Sequence, residues 1–383
     1  MCKASLIAVN YAARAAGVTR FEHVNSASQK CPNLVAVHTA TYAMGETEAK
    51  YHLRPNKQTH KVSLDSYREA SRKIHSVLQR YGNAYERAGV DEAYIDVTEA
   101  VHREAVGDVI WDTTLGNVLR KQGSDDSHNE KFFYIAAKLA KGMREAVKNE
   151  LRYECSAGVG SNKALAKLAS SLFKPNQQTI LLDSGVQDFL RPLAVKKMRG
   201  FGGDLGKAVT TQLGVETVAD LWNVSLDTIQ ESFDPPAALF IHRSAFGHYE
   251  SEVSNRLTPK SVLAAKQIKP TTDVMPWIRI LCAEVVARCE QMVTAYELYP
   301  KSLTLNLRWE GGTATRSCGI PNPFSVEVLT EAMQALVPTN VLPCYSVALH
   351  ANGFAAKEKP QRDLTHYFAK KAKKGDADVI VIE

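Results

Sequence analysis

The alternating run Ser302–Trp309 (SLTLNLRW) constrains the fold of this chain more than any other segment. Apolar residues recurring with a period of two commit a stretch to a strand with one buried face. The run sits inside a longer order that starts at Thr258. A strand candidate comes first, then a long helix over 277–296, the alternating run, a second strand (ATRSCGI), a helix over 326–336 and a last strand (CYSVALHANGF). That β-α-β-β-α-β order predicts a compact two-layer module with one sheet. A chain of 383 residues exceeds what one hydrophobic core serves, so two to four domains are expected.

Upstream the pattern is different. LIAVNY (6–11) has the composition of a strand, and YAARAAG (11–17) predicts a short helix stopped by glycine. The polar stretch 45–59 reads as a surface insertion. SLDSYREASRKIHSVLQRYG predicts a helix over 65–81, capped by Ser63 or Asp65 and closed by Gly82, with Tyr67, Ile74, Val77, Leu78 and Tyr81 on one face. AYERAGVDEAYIDVT (84–98) reads as two extended runs around Gly89, and the mixed segment 101–130 as an insertion. A long helix over 132–151, a short strand (YECSAGVG), a helix (NKALAKLASSLF) and a strand (QQTILL) then give the grammar of an α/β or α+β layer. Residues 190–257 read as wholly helical, and 355–383 as a polar, lysine-rich tail without a packed core.

Composition narrows the class. Hydrophobic residues at 45% and charged residues at 23% are those of an ordinary globular protein, and 47 Lys and Arg against 41 Asp and Glu give a net charge of +6 that permits a polyanionic partner. No apolar stretch approaches the roughly 20 residues of a membrane span, and the N-terminus lacks a secretory signal, so an intracellular chain is expected. The seven cysteines form no Cys-x-x-Cys pair and have no paired His, which argues against a zinc site or a disulfide framework.

Four features could carry chemistry. Asp91 and Glu92 are adjacent carboxylates in a strand-like run, either a solvated turn or a hard-oxygen site for Mg²⁺. SAGVGSNKALAK places a glycine-containing turn before a helix bearing Lys163 and Lys167 on one face. This is a phosphate contact or an ordinary helix with solvated lysines, and not a Walker loop. RGFGGDLG (199–206) exposes backbone amides, at Gly202 and Gly203 above all, that could meet a DNA phosphate. Tyr11, Arg14 and Arg20 set a ring and two guanidinium groups near the start, a set suited to triphosphate and base contacts.

Taken in this order, IAVNYAARAAGVTR, CPNL, YREAS, DEAYIDVT, CSAGVGSNKALAKLAS, KPNQQT and MRGFGGDLGKAV resemble the Y-family translesion DNA polymerases, their eta branch most closely, from the first residues to about residue 257. Beyond Thr258 the resemblance is one of architecture. It implies an α+β multidomain hand: fingers over 1–64, palm over 65–183, a helical thumb with a helix-hairpin-helix-like turn over 184–257, a βαββαβ little finger over 258–354 and a tail. It further implies Asp91 and Glu92 as the carboxylates holding Mg²⁺, and deoxynucleoside triphosphates held by Tyr11, Arg14 and Lys167 with Arg20 over the incoming base. Primer-template DNA would be bound through Gly202 and Gly203, and the activity would be DNA-directed synthesis past damaged template bases in the nucleus.

Three departures accompany the likeness. Ala12 stands where the family often has an acid, and Gly89 where a serine is usual. The family's first palm strand, with a further metal-binding aspartate and a ribonucleotide-excluding aromatic, has no counterpart in the five residues ahead of Leu6. A shortened polymerase is therefore expected, with a DNA- and clamp-binding scaffold as the competing reading. In the tail, QRDLTHYF fits the sliding-clamp peptide pattern through Gln361, Leu364, Tyr367 and Phe368. KKAKK (370–374) reads as an import signal or a solvated charge run. VIVI (Val379 to Ile382) with acidic flanks resembles a SUMO-interacting strand.

Overall fold

The computed structural model describes residues 5–104, 110–124, 126–338 and 343–356, so the clamp-like peptide, the lysine run and the SUMO-like strand lie outside the described residues. The chain divides into two compact units: residues up to Val37 with Leu64–Leu257, and His38–Ser63 with the chain from Thr258 onward.

The first unit opens with helices α1 (Tyr11–Ala15) and α2 (Val24–Lys30). The second unit then contributes a hairpin, β1 (Thr41–Ala43) and β2 (His60–Val62), before the first resumes with α3 (Asp65–Leu78), β3 (Ala84–Arg87), β4 (Ala93–Asp96), α4 (Thr98–Glu104), β5 (Asn117–Leu119), α5 (Ser127–Leu151), β6 (Ala157–Val159), α6 (Lys163–Ser171) and β7 (Gln178–Leu181).

The expected strand at Leu6 is not formed. Ser5 makes an isolated bridge to His23, and Leu6 exchanges backbone hydrogen bonds with Phe21 and Glu22. Val9, Ala13, Val18 and Ala27 bury one another in a local cluster, with Asn10 capping α1 through its acceptance of the Ala13 N–H. Two short helices thus satisfy the apolar run without a sheet partner. Helix α3 is N-capped by Leu64 with no capping side chain, in place of the expected Ser63 or Asp65. Its buried residues include Ser71 and His75 beside Val77, whereas Tyr67 is exposed. The inward face is polar because β3 offers it hydrogen-bonding partners.

Segment 101–130 is no mere insertion. It supplies β5, which pairs with β7 in the parallel sheet β5-β7-β6. All four residues of β7 are buried, as expected of a central parallel strand covered on both faces. Phe133 and Ala137 of α5 pack with Ile180 and Leu182, and Leu165 and Ala169 of α6 with Leu181. Gly158 is required there: a Cβ would stand 1.9 Å from the Ala166 carbonyl oxygen, so only glycine lets α6 lie this close to β6.

A helical layer follows: α7 (Val186–Leu190), α8 (Asp204–Gln212), α9 (Val218–Trp222), α10 (Leu226–Ser232) and α11 (Pro235–Ala245). Its ends are written locally, by a Thr217–Asp220 capping box at α9, by Ser225 at α10 and by Asp234 with Pro235 at α11. Phe201, Val209, Leu221, Ile229 and Ile241 fill its core. Contrary to the all-helical expectation, the helices end at Ala245, and the chain returns to lay Arg256 alongside β3 in a parallel bridge to Glu86.

The second unit has the β-α-β-β-α-β order: β8 (Ser261–Thr271), α12 (Met275–Tyr296), the short β9 (Leu298–Tyr299), β10 (Ser302–Trp309), β11 (Gly312–Gly319), α13 (Val326–Ala335), β12 (Cys344–Asn352) and β13 (Ala355–Ala356). The main strands pair antiparallel in the order β11-β10-β12-β8. Leu303, Leu305 and Leu307 are buried while Thr304, Asn306 and Arg308 alternate outward. Helix α12 is buried on two faces. Ile278, Leu281, Cys282, Val285 and Cys289 pack in the core with the sheet, while Trp277 and Ile280 pack with Tyr42 of the hairpin.

On that second face Glu284, 1% exposed, forms a close ion pair with Lys61 of β2 and also accepts from Arg288. Nearby, Lys266 donates to the His60 carbonyl at 2.8 Å and lies 5.2 Å from the Trp277 ring centroid. Burial, then the charges of Lys61 and Lys57, pull its pKa down to about 8.

Removing one partner of a buried ion pair strands the other. Lys61→Met is therefore expected to destabilise the second unit by about 3 kcal/mol, read as a lowered urea midpoint. Lys266 gives a second expectation. With a folded pKa of about 8 against 10.5 unfolded, the unfolded chain binds the extra proton in that window. Stability should therefore rise as pH is raised from about 8 to 10.5, and thermal unfolding of Lys266→Met should lack that rise.

Candidate active site

The two extended runs around Gly89 form the predicted hairpin, β3 pairing antiparallel with β4 from Ala84↔Asp96 to Arg87↔Ala93. Asp91 and Glu92 sit in its turn, both exposed, with the Ala88 and Gly89 N–H groups donating to the Glu92 carbonyl. The Glu92 carboxylate accepts from Lys167 of α6 at 2.8 Å, with the two side chains 52% and 48% exposed. That hydrogen bond, outweighing burial, holds the Lys167 ammonium above the ordinary lysine pKa.

Beneath the turn lies a buried network that the sequence did not announce. Glu86 of β3, 7% exposed, accepts from Lys163 of α6 at 2.7 Å and from the Ser254 N–H at 3.0 Å, with Arg256 3.8 Å away. Burial would raise the Glu86 carboxyl, but the Lys163 and Ser254 hydrogen bonds outweigh it and hold the pKa low. On the other side, His75 of α3 hydrogen-bonds the Tyr85 hydroxyl and approaches the Gly89 carbonyl at 3.3 Å, and Arg87 reaches Ser71 at 3.0 Å. Burial, then the Arg87 charge, push the His75 pKa down to about 4, so the ring is neutral at pH 7.

Lys163 and Lys167 therefore do share a face, and both are committed to carboxylates of the hairpin. The turn before α6 is not an open phosphate cradle. Asn162 caps the helix by accepting from the Ala164 and Leu165 N–H groups, and its amide donates to the Gly247 carbonyl. Nothing in the sequence marked Glu86, whose partners Lys163 and Ser254 lie 77 and 168 residues away.

Tyr11, Arg14 and Arg20 form a second constellation. Arg14 Nε donates to the Val9 carbonyl at 3.0 Å with its guanidinium 4.9 Å from the Tyr11 ring centroid, and Arg20 Nε donates to the Ile7 carbonyl at 3.2 Å. All three are exposed, and Arg20 also lies 5.2 Å from the Phe21 ring centroid. Gly202 and Gly203 lead into α8 with open space where a Cβ would point. By contrast Gly206 is forced by the Phe201 carbonyl, 1.7 Å from its Cβ position.

Among the described residues no group of three or more His, Cys, Asp or Glu could hold a metal ion, and no helix is long and apolar enough to cross a membrane. Asp91 and Glu92 by themselves are a two-carboxylate donor set. It suits Mg²⁺, which is commonly held by one or two carboxylates with substrate phosphates and water completing the shell.

The elements so described are a carboxylate hairpin on an α/β layer, a helical layer with a glycine turn and a βαββαβ module, which together make a mixed α/β multidomain protein. Residues 2–171 match the impB/mucB/samB family, residues 193–247 match the DNApol eta/Rev1 HhH motif, and residues 259–364 match the impB/mucB/samB family C-terminal domain. The chain is 31% identical over 366 residues to N-acetyltransferase eso1 of Schizosaccharomyces pombe, covering 87% of this chain and 42% of that protein. It is 30% identical to DNA polymerase eta of Arabidopsis thaliana (79% and 47% covered) and 33% identical to DNA polymerase iota of Homo sapiens (87% and 43%). The chain spans less than half the length of these relatives. It belongs to the Y-family of translesion DNA polymerases.

Because Glu86 and Lys163 are both buried, Glu86→Gln is expected to cost about 3 kcal/mol of stability by leaving the lysine uncompensated. A Glu86→Leu/Lys163→Met double variant should be less destabilised than either single change, as denaturant titration would record.

Proposed function

We propose that this chain is a DNA-directed DNA polymerase that inserts nucleotides opposite damaged template bases. The observation that carries the reading is the turn of Asp91 and Glu92, two exposed carboxylates on a rigidly based hairpin with Lys167 at their side. In this reading the fingers occupy 1–64, the palm 65–183, the thumb 184–257 and the little finger 258–354, although 38–63 pack in the compact unit of the little finger.

Asp91 and Glu92 would hold Mg²⁺, which when bound would supply activation of the primer hydroxyl and charge stabilisation of the departing pyrophosphate. Lys167, half-exposed beside Glu92, would donate to a phosphate oxygen of the nucleotide. Tyr11 and Arg14 bind the triphosphate by a hydroxyl and a planar fork of donors. Arg20 covers the incoming base, and the amides at Gly202 and Gly203 take a template-primer phosphate without reading sequence. Phosphoryl transfer depends mainly on such positioning and charge.

In the tail, Gln361, Leu364, Tyr367 and Phe368 dock on a sliding clamp, while 370–374 is an import signal or a solvated charge run and Val379 to Ile382 a SUMO-interacting strand or an uncommitted apolar terminus. The eta relatives support a nuclear repair role.

The test is primer extension with Mg²⁺ on undamaged and thymine-dimer templates. The unaltered chain should extend both, and Asp91→Ala/Glu92→Ala should lower the rate by at least about 100-fold with little change in DNA affinity. Salt-sensitive DNA binding without extension would replace the polymerase reading by that of a DNA-binding scaffold.

A further inference from the structure

Tyr94, three residues after Asp91 on β4, is flanked by two cations. The Lys163 Nζ lies 5.7 Å and the Arg199 guanidinium carbon 5.0 Å from its ring centroid. Lys163 is committed to Glu86. Arg199 is held differently. Its Nη1 is buried and has no hydrogen-bond partner among the described residues, a costly state for a guanidinium nitrogen, so the aromatic face is a main source of its compensation.

Arg199 is also the first residue of the 199–206 turn, and the backbone just after it is fixed. Gly200 has a φ of +90°, and the Phe240 ring stands 3.0 Å from its Cβ position. Phe201, fully buried, stacks on the same Phe240 ring at 5.5 Å. Gly202 and Gly203 thus follow a closely packed stretch that begins at Arg199, and Arg199 in turn contacts Tyr94 of β4, the strand that follows the carboxylate turn. The Arg199 charge also acts on Lys167, the partner of Glu92.

We propose that Arg199 is a positioning residue, which by stacking on Tyr94 couples the DNA-phosphate turn at 199–206 to the Asp91–Glu92 hairpin and sets the register between them. The inference rests on the polymerase reading for the roles of the two ends, and on the geometry alone for the link.

Hydrogen exchange on the full chain, with and without a duplex primer-template, tests the link without requiring turnover. DNA should slow exchange both in the 199–206 turn and in the hairpin 84–96. In Arg199→Ala, and equally in Tyr94→Leu, the turn should still respond while the hairpin no longer does, and Arg199→Lys and Tyr94→Phe should keep much of the hairpin response. In kinetics, kcat should fall between about ten- and a hundredfold in Arg199→Ala with the nucleotide KM within about twofold. A hairpin that responds in Arg199→Ala and Tyr94→Leu as it does in the unaltered chain overturns the proposal, as does a loss of turnover matched by an equal loss of DNA affinity. A chain that binds DNA without extending primers decides against the polymerase reading, while the exchange comparison still decides the link.

Discussion

The first unit depends on a single buried carboxylate. Glu86 is the point at which β3, α6 and the returning segment at 254–256 meet, and its negative charge is tolerated because Lys163, the Ser254 amide and the nearby Arg256 supply compensation. Those partners come from residues 163, 254 and 256, far apart in the chain, so the pair fixes topology as well as energy. The exposed turn above it inherits that rigidity. Asp91 and Glu92 can stand in solvent, available to a cation, because the strands below them cannot shift without stranding a charge.

The second unit solves a similar problem around Glu284. A helix buried on two faces has little room for a carboxylate, and α12 carries one where the hairpin of β1 and β2 covers it. Lys61 arrives from that hairpin to pair with it, beside Tyr42 packed on Trp277 and Ile280. Residues 38–63 are thus a structural part of the module that follows Thr258, although two hundred residues of the other unit separate them in sequence.

Within the first unit, the arrangement of site chemistry follows from the Glu86 anchor. Lys167 and Lys163, one helical turn apart, take different parts because one projects over the hairpin turn and the other under it. The first stays half-exposed and exchangeable, and the second is sealed. The glycine turn at 199–206 divides in the same way. Gly200 and Gly206 are required by close packing, whereas Gly202 and Gly203 have open space at the Cβ position.

Much of this was legible in the sequence where local chemistry decides it. The alternation in Ser302–Trp309 fixed a half-buried strand, and the two extended runs around Gly89 marked the β3–β4 hairpin, while DEAY alone left its carboxylates either in a solvated turn or at a metal site. The Leu6 run was misread because composition does not say whether a partner strand is at hand. Segment 101–130 was misread because a three-residue parallel strand is identified only by its neighbour β7. Family membership was likewise carried by ordered local motifs. What only the tertiary structure decided are the long-range pairings, Glu86 with Lys163, Lys61 with Glu284 and Arg199 on Tyr94. A charge buried by folding has no local signature: its cost and its compensation exist only once distant segments have excluded water from the same place.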